Sequence, residues 1–245
     1  MSFPGLASER PIRAVLFDID DTLVDLRSAM EIAVRQVSTA FVPELSEEAW
    51  EQVHWEFRVD PTGLYQAFLN GELSFVEQRI ARARRAFAAV GGALPEEHVA
   101  TWNNAYELEA KRRWAAYPDV AAALDFLEAR RIPYGAVSNN VVDYQRNKLD
   151  LSGLQRISVL VGTDTVGVPK PDPAIFHEGA RQLGFEPRET LYVGDNLLID
   201  AIGASEAGLP AVWLNREGVA DDRWSGAQIS GLDRLAGLLE DVPSL

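Results

Sequence analysis

The sequence predicts an α/β protein, a Rossmann-like parallel sheet flanked by helices, with a smaller all-helical domain inserted in it. Three observations point there. Short apolar runs ending at polar clusters recur along the chain and alternate with helical patterns. These runs are almost uniformly apolar rather than alternating, as strands buried on both faces are. From about residue 25 to 115 the alternation stops, and the chain becomes rich in Ala, Glu, Arg and aromatics without a convincing strand.

The first strand lies in Arg-Ala-Val-Leu-Phe-Asp-Ile at 13–19 and stops at an acidic cluster. The insert comes next, read as roughly four helices. Ser74-Phe75-Val76-Glu77 has the capping-box pattern, opening a helix that ends near Gly91-Gly92, and another helix begins after Pro95. Strands are then expected at Ile132 to Val137, more weakly at Ile157 to Val161, at Leu191 to Val193 and at Ala211 to Leu214. Asp172-Pro173 reads as an N-cap with proline at the first helical position, and Gly184 as the residue that ends that helix. Leu198 to Ala207 ends at Gly208 in the same way. Strands separated by helices favour parallel pairing with right-handed crossovers. The expected division is an α/β core from 1–24 and 116–245 and a helical domain from 25–115, a plausible arrangement at this length.

The 245 residues carry 37 acidic and 23 basic side chains, a formal charge of −14. That charge argues against nucleic acid as a partner, because a polyanion needs a basic footprint. It leaves room for a local cationic pocket. Cysteine is absent and the three histidines (His54, His98, His177) are widely spaced, so neither a thiolate site nor a zinc cluster is expected. No apolar run approaches the roughly 18 residues that span a bilayer. The opening MSFPGLASERPIR lacks an apolar stretch of signal-peptide length. A soluble, cytoplasmic protein without a membrane partner is the expectation.

The unusual chemistry begins at Phe17-Asp18-Ile19-Asp20-Asp21-Thr22. Ligands of open α/β sheets bind outside the carboxyl ends of the strands. Asp18 and Asp20 stand two apart there, so an extended backbone would send both side chains to one side. Paired carboxylates repel unless a cation or a shared proton relieves them. An isolated Asp-x-Asp is as readily a solvated turn, and three downstream clusters shift the balance. Ser138-Asn139 closes the second apolar strand, where a hydroxyl and backbone amides hold an anion as well as they form a turn. Lys170 lies in Val-Pro-Lys-Pro-Asp-Pro, a loop stiffened by three prolines. Asp195 comes directly after a strand, and Asp200 stands five residues on in the first turn of a helix. As bland alternatives, Asp195 is a turn residue and Asp200 complements the helix dipole.

Taken in order, D-x-D-x-T, S-N, K-P-x-P and G-D-x-x-x-x-D resemble the haloacid dehalogenase superfamily, mostly its phosphatases. The resemblance covers about residues 13–24 and 116–240. The string GDNLLIDAIGASEAGLPAVWLNR from Gly194 to Arg216 resembles the family beyond the aspartates. The insert resembles the cap domain of the subgroup that carries its cap between the first and second motifs. The resemblance implies that Asp18 is the nucleophile, forming an aspartyl-phosphate, and that Asp20 is the general acid and then base. It implies that Thr22 and Ser138 bond the phosphoryl oxygens and that Asn139 offers a backbone amide. Lys170 would neutralise charge on both nucleophile and phosphoryl group. Mg2+ would be held by Asp18, Asp195 and the Asp20 carbonyl, with Asp200 supporting the metal shell or orienting Lys170. Chemically, acidic ligands without Cys or His suit a hard cation such as magnesium, and phosphoryl transfer chiefly needs positioning and charge neutralisation.

Asp21 is out of phase with Asp18 and Asp20 and is not assigned as a ligand. Asp25 reads as a turn or hinge. In the insert, WEQVHWEFRVDPTGLY from Trp50 to Tyr65 holds the candidate specificity residues His54 and Arg58. Its aromatics either receive a ring of the substrate or, as Trp50, Trp55 and Phe57, pack between helices. Trp102 and Trp114 read as packing residues.

The resulting expectation is a magnesium-dependent phosphatase acting on a small phosphorylated metabolite, as a monomer or homodimer. Alternatives are a phosphomutase, a dehalogenase, and a catalytically silent binding protein on the same scaffold. The mutase needs a cap group that shuttles protons and keeps water from the aspartyl-phosphate, for which His54 is only a weak candidate. The dehalogenase needs no metal and no acid at position 20. The silent protein is expected to have lost a charged motif residue, and none of Asp18, Asp20, Lys170, Asp195 and Asp200 is missing.

Overall fold

The computed structural model describes residues 11–239. The described chain divides into two compact units. One is Leu26–Trp114, and the other is built from the segments on either side of it.

The flanking segments form a six-stranded sheet: β1 (Ala14–Phe17), β2 (Tyr134–Val137), β3 (Val159–Val161), β4 (Thr190–Gly194), β5 (Ala211–Leu214) and β6 (Ala227–Ile229). Every neighbouring pair is parallel, in the order β3-β2-β1-β4-β5-β6. β1 and β4 are fully buried, as their unbroken apolar runs require. The chain builds outward from β1 through β2 to β3, then returns to the other side of β1 with β4. That reversal makes the carboxyl end of β1 the switch point of the sheet. Phe17 lies opposite both Ala136 and Val193, so β1, β2 and β4 end at nearly one level. Just past these ends stand Asp18, Ser138 and Asp195.

Five of these strands lie where the sequence places them, with β3 shorter than the expected run. β6 is an addition: three residues with only Ala227 and Ile229 buried leave too short an alternation to read. Among the described residues of the insert, there are five α-helices rather than four: α1 (Leu26–Ser38), α2 (Glu47–Val59), α3 (Leu64–Leu69), α4 (Phe75–Ala88) and α5 (Val99–Arg113). The extra one, α3, is six residues long with none buried, so it carries no periodic apolar stripe. It is set off from α2 by Asp60 and Gly63, both in the left-handed region at φ 51° and 72°.

The α4 capping box forms as expected, with Ser74 Oγ accepting from the Glu77 amide and Glu77 accepting from the Ser74 amide. Trp50, Val53, Phe57, Phe87, Trp102 and Tyr106 are among the residues of this unit's core. Trp102 stacks on Tyr106 at 5.3 Å and donates from its indole to Ser38 Oγ at 3.0 Å, which satisfies its one polar atom. Trp55 departs from the packing expectation and is 48% exposed. Its neighbours at 50, 53 and 57 share one helical face, and 55 falls off it.

In the sheet-bearing unit the helices are α6 (Val120–Ala129), α7 (Val142–Leu151), α8 (Thr163–Val166), α9 (Pro173–Leu183), α10 (Gly203–Glu206) and α11 (Leu235–Leu239). Asp172 caps α9 by accepting from the Ala174 amide, Pro173 opens it, and Gly184 closes it at φ 84°. The helix expected over Leu198 to Ala207 is instead a π-helix, Leu197–Ile202, succeeded by the short α10. The Asn196 carbonyl accepts from both the Asp200 and Ala201 amides, which is the widened turn of a π-helix.

Candidate active site

The site is assembled from the carboxyl ends of β1, β2 and β4 and the loop before α9. At its centre lies Lys170, almost fully buried. Its ammonium donates to Asp18 Oδ1 at 2.5 Å, to Asp200 Oδ1 at 2.7 Å and to the Tyr192 hydroxyl at 3.0 Å. Three donors meeting three acceptors leave the ammonium satisfied, which its burial demands. Burial works against the charged amine, but Asp18 and Asp200 outweigh it and hold Lys170 well above its usual range. Asn139 fixes the lysine backbone from both sides: its Oδ1 accepts from the Lys170 amide at 2.6 Å and its Nδ2 donates to the Lys170 carbonyl at 2.9 Å.

Asp18 extends from β1 with its amide donating to the Val193 carbonyl at 2.9 Å. Burial pushes its carboxyl up to about 7, with Asp200 and Asp20 adding to the rise and Lys170 opposing it. The Asp195 carboxyl is also held well above the carboxylate range, by burial first and then by Asp18 and Asp200. Carboxylate oxygens of Asp18, Asp195 and Asp200 lie within 4.8 Å of one another. Three carboxylates thus face one ammonium. This all-oxygen donor set, short of positive charge, fits magnesium: a divalent cation would relieve the electrostatic cost that raises Asp18 and Asp195.

Asp200 is the buried hub of the far side. Its Oδ1 accepts from Lys170 and from the Tyr192 hydroxyl at 3.1 Å, and its Oδ2 accepts from the Asn196 amide at 3.0 Å. The π-turn puts it there, and Gly194 leaves the room. A Cβ on Gly194 would lie 2.5 Å from both Cβ and Cγ of Asp200. Asp200 thus contacts Lys170 directly and also lies within the group of carboxylates that could share a cation.

Thr22 lies beside Asp195. Its hydroxyl donates to Asp195 Oδ1 at 3.2 Å and accepts from the Asp195 amide at 3.0 Å. These two bonds tie the Thr22 hydroxyl to Asp195. Ser138 Oγ accepts from Gln145 at 2.6 Å, which leaves its proton to donate elsewhere. Asp20 takes partners of its own, the Lys148 ammonium on Oδ1 and Gln145 Nε2 on Oδ2 at 3.0 Å. Asp21 takes the left-handed conformation at φ 62°, with its amide donating to the Val24 carbonyl at 2.8 Å, a turn geometry that aspartate tolerates. Asp25 stands at the boundary of the unit, its amide donating to the Ala115 carbonyl at 3.0 Å.

In the helical unit, His54 and Arg58 both project from α2. His54 Nε2 and Arg58 Nε are buried without a hydrogen-bond partner, and Arg58 Nε lies 4.0 Å from Glu31 Oε1. Burial pushes the His54 imidazole down, against the pull of Glu31.

Lys148, Gln145 and Tyr192 are the residues about this site that the motifs do not name. Tyr192 sits inside a strand and reads as core. A Gln-x-x-Lys spacing in the helix after Ser138 was the available signal for the other two, and it looks like any solvated helix face.

Residues 12–208 match the family of haloacid dehalogenase-like hydrolases. The chain is 33% identical over 212 residues to a glyceraldehyde 3-phosphate phosphatase of Methanopyrus kandleri, covering 84% of each chain. It is 26% identical over 215 residues to an (S)-2-haloacid dehalogenase of Pseudomonas putida, covering 87% of this chain and 90% of the other. Among solved structures, a HAD-hydrolase of Bacillus subtilis bound to magnesium has the same fold, with a TM-score of 0.74 at 22% identity over 94% of this chain and all of the other. The parallel sheet flanked by helices and the match over most of the chain define an α/β hydrolase. The chain belongs to the haloacid dehalogenase-like hydrolases.

Proposed function

We propose that the protein is a magnesium-dependent phosphatase that hydrolyses a small phosphorylated metabolite through an aspartyl-phosphate on Asp18. One observation carries the proposal: a buried lysine bonded to Asp18 and Asp200, with Asp195 close enough for three carboxylates to share a cation. Kinship with a glyceraldehyde 3-phosphate phosphatase supports it.

Asp18 attacks phosphorus through a carboxylate oxygen. The bond to the leaving oxygen breaks as Asp20 delivers its proton there. Asp20 then takes a proton from the attacking water, the acyl-phosphate bond opens, and Asp18 and free phosphate are released. Lys170 neutralises charge on the nucleophile and the transferring group. Tyr192 and Asp200 fix the lysine, Thr22 fixes Asp195, and Ser138 and the Asn139 amide receive phosphoryl oxygens. Asp18, Asp195 and the Asp20 carbonyl would hold Mg2+, which when bound would supply charge neutralisation. Substrate selection is assigned to the helical unit as a cap domain, with His54 and Arg58 as its polar readers.

Phosphate release from p-nitrophenyl phosphate and a broad panel of phosphate esters tests this. Turnover is expected with Mg2+, to vanish with chelator, and to return when Mg2+ is restored. Asp18→Asn is expected to lose at least about a thousand-fold in kcat. Full activity in that variant, or halide release from a 2-haloacid without any phosphate release, contradicts the proposal.

A further inference from the structure

We infer that Lys148 and Gln145 on α7 are positioning residues that hold Asp20 for proton transfer, an inference that rests on the phosphatase reading above. Lys148 is 1% exposed, and its ammonium forms an ion pair with Asp20 Oδ1. Gln145, three residues earlier and fully buried, donates from Nε2 to Asp20 Oδ2 at 3.0 Å and to Ser138 Oγ at 2.6 Å. Spaced i, i+3, the two side chains leave one face of a single helix. Each Asp20 oxygen therefore has its own donor, and both donors are mounted on the same rigid element. Gln145 also ties the arrangement to the end of β2 through Ser138.

The expense of this arrangement argues for a use. A lysine ordered in the interior gives up much of its side-chain entropy. Its charge must be bonded there, and a well-packed apolar residue often serves stability equally well. What the ammonium adds is orientation. An aspartate side chain has three staggered χ1 wells, and proton transfer works only when donor and acceptor approach to about 2.6–3.2 Å. Donors on both oxygens select one orientation before substrate arrives. Lys148 is distinct in this from Lys170, whose partners are Asp18, Asp200 and Tyr192.

The test compares wild type, Lys148→Met, Lys148→Arg, Gln145→Leu and Asp20→Asn on p-nitrophenyl phosphate and on an alkyl phosphate. The nitrophenolate leaving group needs little protonation, and an alkoxide needs it fully. In single-turnover cleavage, Lys148→Met is expected to lose at least about a hundred-fold on the alkyl ester and less than about ten-fold on the aryl ester, with KM changed little. Gln145→Leu should show the same selectivity with a smaller loss. Lys148→Arg should recover most of the alkyl-ester rate, because it restores a cation to Asp20. Should Lys148→Met fail to fold, the Gln145→Leu and Lys148→Arg ratios decide. Equal losses on both esters, a change confined to KM, or a wild-type alkyl-ester rate in Lys148→Met or Gln145→Leu overturns the inference. If Asp20→Asn shows no selectivity between the esters, the assignment of Asp20 as acid fails instead, and that outcome is separate from the behaviour of Lys148.

Discussion

Gly194 ends β4 without a side chain because the Asp200 carboxylate occupies the space beside it. A methyl group there would sit 2.5 Å from two carbons of Asp200, too close for either to remain. Gly194→Ala is therefore expected to displace Asp200 from Lys170 and Tyr192 and to lower kcat by about ten- to a hundred-fold, in line with the cost of misplacing a charged group by about an ångström. Steady-state kinetics beside a circular-dichroism melt check this, and a wild-type kcat would show that Asp200 does not need its present position. The same scale shows what sequence reveals of a site. Asp18, Lys170, Asp195 and Asp200 are legible because each sits at a strand end, in a proline-stiffened loop or in a first helical turn. Lys148 is not: a lysine in mid-helix reads as solvated, and only the fold shows that its amine is buried against Asp20.

Elements are held by polar clasps that no periodicity announces. Arg216, just beyond β5, makes a two-pronged pair with Asp119 at 2.7 and 3.0 Å and donates to the Thr22 carbonyl at 3.0 Å. Asp119 also accepts from the Leu232 amide at 2.8 Å. One ion pair thus links the start of α6, the loop after β5, the turn after β1 and the segment beyond β6. Burial raises the Asp119 carboxyl, but the Arg216 bonds and the Leu232 amide outweigh it, and the net shift is below the usual carboxylate value. A depressed folded-state value means the contribution is present above the unfolded value of about 4 and is lost as pH falls through the folded one. Asp119→Asn is expected to be less stable than wild type by about 1–3 kcal/mol at neutral pH, the worth of charge-assisted bonds at a partly exposed pair. That gap should narrow only below about pH 4. Denaturant melts across pH measure it, and a gap independent of pH down to 2 contradicts the role given to the carboxylate. Short elements were the illegible ones. β6 and α3 have too few buried residues to show a period, and the π-turn of Leu197–Ile202 spans only six residues.

At the scale of the whole chain, a formal charge of −14 meets an anionic substrate, so attraction has to be local. The sheet concentrates its polar groups at one level, where β1, β2 and β4 end and the strand order reverses, and there Lys170 together with a cation held by the carboxylates would supply it. The parallel sheet was legible because apolar strands recur between helices. The strand order was not, since it depends on which side of β1 each crossover returns to. The central claim is that this strand-end cluster makes Asp18 a nucleophile, and one experiment reaches it directly. Enzyme mixed with substrate and Mg2+ is quenched during turnover and reduced with borohydride, which converts an acyl-phosphate on aspartate to homoserine. Peptide mass spectrometry should place homoserine at position 18 and nowhere else, and only when substrate is present. Homoserine at another aspartate, or intact Asp18 throughout active turnover, would contradict the account.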